Sequence, residues 1–228
     1  MTIRLSTRIS IRWGDDSPSE PTTTLVMSVD GYFMDLRVNK SDDSVDWAFA
    51  GRREIVSQDP LHCRWHHIID SRHIFDPDEG EFENLSNGDS LETGSMSCPE
   101  KGGVVTPYEE VWRSIQPTAG LERGWILQRE EDDGSKTITF LGRVGSVFFA
   151  MKQQPPSGHL TVRREELQTA EAGSDKAPQW VTKYHSGNAT LPSLANAGLL
   201  NFPDELTWKV GDEVTIQGQL YTVRAQHS

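Results

Sequence analysis

Residues 22–38 read TTTLVMSVDGYFMDLRV, and this stretch decides the fold class. Apolar side chains recur at every second position on both sides of Asp30-Gly31, which is the period of a β-strand. An Asp-Gly pair between two alternating runs is a tight-turn signal. The stretch therefore predicts a β-hairpin, whose alternating apolar residues are Leu25, Met27, Val29, Met34, Leu36 and Val38.

The same alternation recurs along most of the chain. In SVDWAFAG (44–51), Trp47 and Phe49 fall on one face of a strand, and two small alanines fall on the other. Three later segments alternate in the same way: 124–152, 177–187 and 212–226. Strict alternation fails in only three segments, so helices should be few and short: 106–115, 164–173 and 191–200.

Many short strands separated by turns predict an all-β, mainly antiparallel fold made of barrels or sandwiches. The segment IQPTAGLERG (115–124) contains a proline and two glycines and divides the chain nearly in half. It predicts a linker between an N-terminal β-barrel domain, residues 1–117, and a C-terminal β-barrel domain, residues 124–228. Four tryptophans precede this linker and three follow it, enough for two cores.

The net charge of the chain limits the classes of partner that it can bind. Its 228 residues include 22 basic and 34 acidic side chains, a formal net charge of −12. This charge repels phosphate backbones and anionic lipids, so we expect neither nucleic acid nor a membrane as a partner. No apolar run approaches a membrane span or a secretory signal, so we expect a cytoplasmic location. In that reducing compartment Cys63 and Cys98 should stay thiols.

Motifs for the common cofactors do not occur in the sequence. The chain has no GxGxxG, no GxxxxGK[ST], no GxSxG and no CxxC. Nucleotide-binding loops, acyl-enzyme chemistry and redox cofactors are therefore unsupported, and we predict no cofactor.

Six blocks of sequence together resemble a known family. They are VDGYFMDLRV, VDWAFAG, LETG, YEEVWRSIQP, LGRVGSVFFA and WKVGDEVTIQGQLYTVRA, in this order along the chain. They resemble the fungal kinase-interacting HRI family, and WAFAG and ETG are the most specific of these words. The resemblance implies two small barrels of the calycin-like or lipocalin-like kind, packed against each other, with a few short helices. It implies no settled activity.

The stretch HCRWHHIIDSRH, residues 62–73, holds four of the seven histidines. On a helix, His62 and His66 would share a face at the spacing of zinc sites, but no glutamate lies between them and no second ligand cluster appears. We therefore predict a strand and no metal. One face would hold Cys63, Trp65, His67, Ile69 and Ser71, and the other His62, Arg64, His66, Ile68, Asp70 and Arg72. The first, more apolar face should point into a barrel.

On this strand His67 is a titratable ring inside a barrel. It is either a core histidine with one hydrogen-bond partner or a catalytic group that acts as general acid or base on a ligand. The nearby aromatic residues are either core packing or the walls of a largely apolar ligand cavity. These candidate substrate-binding residues are Trp47, Phe49, Trp65, Tyr108 and Trp112.

Two hypotheses about function follow. In the first, which we prefer, a barrel binds a small apolar ligand and acts as a cofactor-free cyclase or isomerase on a fungal natural-product intermediate. In the second, the protein is a non-enzymatic adaptor that binds a protein kinase or another cytosolic partner. Its partner would contact acidic loops such as DPDEGEFE, residues 76–83.

Overall fold

The computed structural model describes residues 3–116, 123–131, 134–168 and 177–227. The predicted all-β, antiparallel fold is confirmed, and its first half is a closed barrel in which β1 to β8 pair in chain order. These strands are β1 Ile3–Trp13, β2 Thr22–Val29, β3 Tyr32–Asn39, β4 Val45–Gln58, β5 Leu61–Asp70, β6 Asp78–Asn84, β7 Ser90–Cys98 and β8 Val104–Ile115. A 3-10 helix, Pro99–Lys101, joins the last two.

The second half is a seven-stranded sheet in the order β13-β12-β11-β10-β9-β15-β14, and it does not close. The second predicted barrel is thus an open sheet. Its strands are β9 Gly124–Glu130, β10 Ile138–Val144, β11 Val147–Gln153, β12 Thr161–Gln168, β13 Gln179–Ser186, β14 Glu213–Ile216 and β15 Gln219–His227. One short helix, α1 Leu194–Ala197, precedes β14.

The barrel wall packs on one face of this sheet. All six apolar residues of the hairpin at 22–38 lie in the shared core, together with sheet residues such as Ile126, Phe140 and Phe149. Ala48 and Ala50 belong to the same core, and their small side chains allow the two layers to approach closely. The apolar face of the hairpin therefore points out of the barrel and into the contact between the two layers.

The opposite face of the sheet is covered by the segment between β13 and β14. Leu194 of α1, Phe202 and Trp208 pack there against sheet residues, including Trp125 and Trp180. An edge-to-face contact with ring centroids 5.3 Å apart joins Trp125 to Trp208. This covering layer buries the second face without barrel closure.

Several other predictions can be compared with the elements. Segment 106–115 lies in β8, and the described part of 164–173, residues 164–168, lies in β12, so neither is helical. The centre of the predicted linker, residues 117–122, lies outside the described residues. That residues 1–117 and 124–228 are separate domains stays a prediction. Within the described ranges, no helix is long and apolar enough to span a membrane.

Candidate functional site

A β-bulge in β5 determines the direction in which the side chains of the histidine-rich stretch point. Its pairing with β4 slips by one residue between His67 and Ile69, which leaves Ile68 as an extra residue. A bulge of this kind shifts the alternation of the strand. Ile69 therefore packs in the core between barrel and sheet, while the Asp70 carboxylate turns inward and is fully buried. The predictions that Ile69 points inward and Asp70 outward are wrong for this reason.

His67 is buried and hydrogen-bonded, and it lies in an aromatic cluster. Its Nδ1 is 2.8 Å from Asp70 Oδ2 and 3.0 Å from the carbonyl oxygen of Ile74. Both partners accept, so Nδ1 carries the proton. Asp70 also accepts from Trp47 Nε1 at 2.9 Å, and the Phe49 ring lies 4.5 Å from the imidazole centroid. The Nε2 atom of His67 is buried and has no partner among the described residues.

A small cavity of about 70 Å³, here called the inner cavity, lies inside the barrel. Three of the candidate aromatic residues, Phe49, Trp65 and Trp112, line it. The other three candidates, Trp47, Tyr108 and His67, stand outside its wall and contact residues around it. The complete lining is Arg4, Ser6, Val26, Ser28, Phe33, Asp35, Arg37, Phe49, Arg53, Trp65, Asp78, Phe82, Glu92, Glu110 and Trp112.

The wall of the inner cavity is strongly charged. It contains three arginines and four carboxylic acids, so the prediction of a largely apolar cavity is wrong. The reason is the alternation of β2 and β3, whose apolar residues pack on the sheet. Their polar alternate residues, such as Asp35 and Arg37, must then face the interior.

Two of the barrel arginines are fully paired. Arg8 forms ion pairs with Glu110 and Glu20, the latter at 2.7 Å, and both Arg8 and Glu110 are buried. Arg37 pairs with Asp35 at 2.9 Å and with Glu110 at 3.3 Å. Buried charges require such partners because desolvation otherwise costs several kcal/mol. These pairs form a network in which Asp35, Arg37 and Glu110 are part of the cavity wall.

Burial raises the pKa of three carboxyl groups in the lining: that of Asp35, which is paired with Arg37, and those of Glu92 and Asp78. Glu92 accepts hydrogen bonds from Tyr108 Oη at 3.0 Å and Trp112 Nε1 at 2.8 Å. Burial raises its pKa well above the ordinary value, and the neighbouring Glu110 and Asp78 raise it further. Burial, with the charge of Glu110, also raises the pKa of Asp78 to about 6. Glu92 and Asp78 therefore hold protons more strongly than a carboxyl in water.

A larger space of about 780 Å³, here called the mouth, lies at the end of the barrel and is open to solvent among the described residues. The mouth and the inner cavity share three lining residues, Arg4, Ser28 and Arg53. Much of the remaining lining of the mouth is apolar: Ile3, Leu5, Ile55, Leu61, Ile115 and Val144. The interior of the barrel can therefore be reached from outside at these three shared residues.

Arg4 and Arg53 differ from the paired arginines. Neither guanidinium has a hydrogen bond or ion pair within residues 3–116, 123–131, 134–168 and 177–227, and the Nε atom of each is buried without a partner. Burial lowers the pKa of Arg4, and the positive charge of Arg53 lowers it further. Two neighbouring cations thus stand at the passage between mouth and inner cavity.

Two other histidines of the stretch, His62 and His66, lie on the outer wall of β5, whereas His73 follows the end of this strand. His62 Nε2 is 3.0 Å from Glu79, and His66 Nε2 is 3.1 Å from Glu54. Across the described part of the chain, no group of three or more His, Cys, Asp or Glu residues is arranged to hold a metal ion.

A separate cavity of about 220 Å³ lies beside the sheet, lined by Trp125, Arg143 and Glu205 among others. Arg143 and Glu205 pair at 2.5 Å, and Arg143 also donates to Asn201 at 2.8 Å. Because these charges satisfy each other, this cavity offers less to a ligand than the barrel does.

The sequence analysis missed Arg4, Arg53, Asp78 and the inward role of Glu92. Charges at alternate strand positions are usually solvated, so the pattern of β1 suggests an outer face. A signal was present, however. In β1, Ile3 and Leu5 flank Arg4, and the apolar alternation of 22–38 leaves only polar residues for the other face. When both faces of a strand are buried, these polar residues must line the interior.

Fold and site together define an all-β protein. Its barrel is closed by the pairing of eight strands, has a charged interior and a mouth at one end, and packs on a sheet that does not close. The chain belongs to the HRI1 family, since the model of the family described as Protein HRI1 matches residues 4–224. It is also similar to a crystal structure, that of the uncharacterized protein YLR301w from Saccharomyces cerevisiae. The identity is 17%, each chain is covered over 100% of its length, and the TM-score is 0.72, which shows a shared fold. No curated protein sequence matches the chain significantly.

Proposed function

We propose that the barrel binds a small organic molecule, which enters through the mouth and places one end in the inner cavity. The observation that carries this proposal is the passage at Arg4, Ser28 and Arg53, residues that line both spaces. Ligand sites in barrels lie at such mouths, and they combine apolar walls with a few polar groups. The charged inner wall favours a polar ligand end over the wholly apolar ligand expected from the sequence.

The proposed chemistry is a cofactor-free isomerisation or ring closure that proceeds by proton transfer. Asp78 suits the role of general base, because it lines the inner cavity and its pKa is about 6. Such a carboxylate accepts a proton from the substrate and returns it at another atom, so no co-reactant is consumed. Asp78 is better placed than His67, whose free Nε2 stands outside the cavity wall.

Binding can be tested by blocking the passage. In Ser28→Phe an added ring should fill the junction and abolish binding of small aromatic acids and amides, followed by the fluorescence of Trp65 and Trp112. The control is Thr23→Phe, at an exposed position of the same strand. If Ser28→Phe binds these compounds as the parent protein does, the ligand site is elsewhere.

The alternative, a non-enzymatic adaptor, requires a different surface from the predicted acidic loop. Residues 78–84 form barrel strand β6, and Glu81 and Glu83 are exposed on its outer wall. A partner would bind this wall through exposed carboxylates. The double variant Glu81→Gln, Glu83→Gln should then weaken a kinase pull-down, and undiminished capture would count against this surface.

A further inference from the structure

The two arginines at the passage make no ion pair or hydrogen bond among the described residues that would explain their position. Arg8 and Arg37 in the same barrel are surrounded by Glu110, Asp35 and Glu20. Arg4 and Arg53 have no such partners among the described residues, although the Nε atoms of both are buried. Two unpaired like charges at one place oppose folding, because each lacks a hydrogen-bond acceptor and repels the other. An arrangement of this kind is typical of a site that is completed by a ligand.

The carboxyl group that attracts Arg4 does not neutralise the pair. Glu92 attracts Arg4, but its two carboxylate oxygens already accept from Tyr108 and Trp112. Burial raises the pKa of Glu92 well above its ordinary value, so its carboxyl group holds a proton more strongly than a carboxyl in water and counters the arginine charges less. The positive charge at the passage is therefore available to an anion from outside.

We infer that Arg4 and Arg53 form a binding site for the anionic group, a carboxylate or a phosphate, of a small organic molecule whose apolar body lies in the mouth. Guanidinium groups bind both oxyanions through paired N–H donors, and a partly buried setting strengthens these bonds. The side chains of Ile55, Leu61 and Ile115 offer the apolar body its contacts. The inference rests on the proposed ligand-binding function and names the class of ligand.

The test compares three probes that share one apolar body: 2-naphthoate, 2-naphthyl phosphate and the neutral 2-naphthamide. Their binding to the full chain is measured by calorimetry at fixed ionic strength. We expect at least one of the two anions to bind about tenfold or more tightly than the amide, because charge-assisted hydrogen bonds are the stronger kind. The comparison of the two anions distinguishes a carboxylate ligand from a phosphate ligand.

The variants are Arg4→Gln and Arg53→Gln, with Arg52→Gln as the matched control. Arg52 precedes Arg53 in β4 but is exposed on the outer wall. The first two variants should lose the preference for the anion about tenfold, and the control should keep it. Should a glutamine variant fail to fold, Arg53→Lys keeps the charge, loses the planar fork, and should bind the anion less tightly than the parent chain.

Three other results would overturn the anion site, and one of them would also overturn the proposed ligand-binding function. Equal binding of the amide and both anions by the parent chain would overturn the anion site and leave the ligand-binding function standing. An anion preference that survives in both Arg4→Gln and Arg53→Gln would also overturn it. If none of the three probes binds at millimolar concentration, both the anion site and the proposed ligand-binding function are wrong.

Discussion

Asp78 is a side chain of the inner cavity whose charge changes near pH 6. Its pKa is raised to about 6, so it is protonated at pH 5 and ionised at pH 8. A carboxyl group whose pKa is higher in the folded than in the unfolded protein favours folding most at acidic pH. This contribution is fully present below about pH 4 and is lost as the pH rises through about 6.

The variant Asp78→Asn should therefore change stability in a pH-dependent way. Asparagine cannot ionise, yet its oxygen can still accept from the Glu79 amide, as Asp78 does at 2.9 Å. We expect the variant to be more stable than the parent by about 2 kcal/mol at pH 8 and equally stable near pH 4. Urea unfolding across this range measures the difference. A difference that stays constant with pH would contradict the raised pKa.

Asp70 is the residue on which the aromatic cluster depends. Its Oδ2 accepts from Trp47 and His67, and its Oδ1 accepts from the Arg72 amide at 2.6 Å. Asp70→Ala would leave the buried Trp47 ring donor without an acceptor and His67 Nδ1 with only the Ile74 carbonyl oxygen, so it should cost about 3 kcal/mol or more. The control Asp46→Ala removes only the half-exposed pair with Arg72 and should cost about 1 kcal/mol or less. Similar losses in the two variants would refute this role.

At the scale of elements, the backbones of β4 and β5 approach each other closely at Gly51. A Cβ atom on Gly51 would lie 1.9 Å from the His66 carbonyl oxygen, at the slip in their pairing. Backbone cannot move aside as a flexible side chain can. Gly51→Ala should therefore lower the free energy of unfolding by about 3 kcal/mol, measured by urea unfolding. An unchanged urea midpoint would show that the two strands can separate here without loss.

The sequence predicted the direction of side chains where alternation is regular, and it failed where a bulge or the pairing of distant strands changes that direction. The hairpin at 22–38 and the inward aromatic residues Trp47 and Phe49 follow directly from a two-residue period. The inversion at Ile68 does not, because a bulge depends on how β4 and β5 pair and not on residue type. Barrel closure likewise cannot be predicted from residue type alone. Whether the last strand meets the first is a property of strand tilt and register, which a local pattern does not contain.

The sequence did not predict the charged inner cavity, for a related reason. A strand with an apolar and a polar face is ordinarily read as half solvated. Here the sheet covers the apolar face of β2 and β3, so the polar face turns to the interior. Knowing this requires knowing that the second half packs outside the barrel, which is information from the whole molecule.

At that largest scale, a hydrogen-bonded pair joins the barrel to the sheet. The Gln153 side chain on β11 accepts from the Asp70 amide at 2.6 Å and donates to the Asp70 carbonyl oxygen at 2.7 Å. Gln153 is 1% exposed, so water cannot replace it in a variant. The contact lies at the margin of the large apolar core shared by both halves.

Gln153→Leu should therefore destabilise the protein by about 3 kcal/mol, because it leaves two buried backbone groups without partners. Its neighbour Gln154 is exposed, and Gln154→Leu should change the free energy of unfolding by less than about 0.5 kcal/mol. Both values can be measured by urea unfolding. If barrel and sheet were independent domains, Gln153→Leu would shift only part of the transition. A single shifted transition would indicate one cooperative unit.

The apolar flank of the barrel also bears on how the protein is made. The eighth strand ends at Ile115, whereas the sheet strands that cover Met27, Met34 and Ala50 begin at Gly124. During synthesis the first half emerges from the ribosome before these sheet strands, so its apolar face is still uncovered at that stage. Until the second half is synthesised, the nascent barrel offers chaperones a hydrophobic surface.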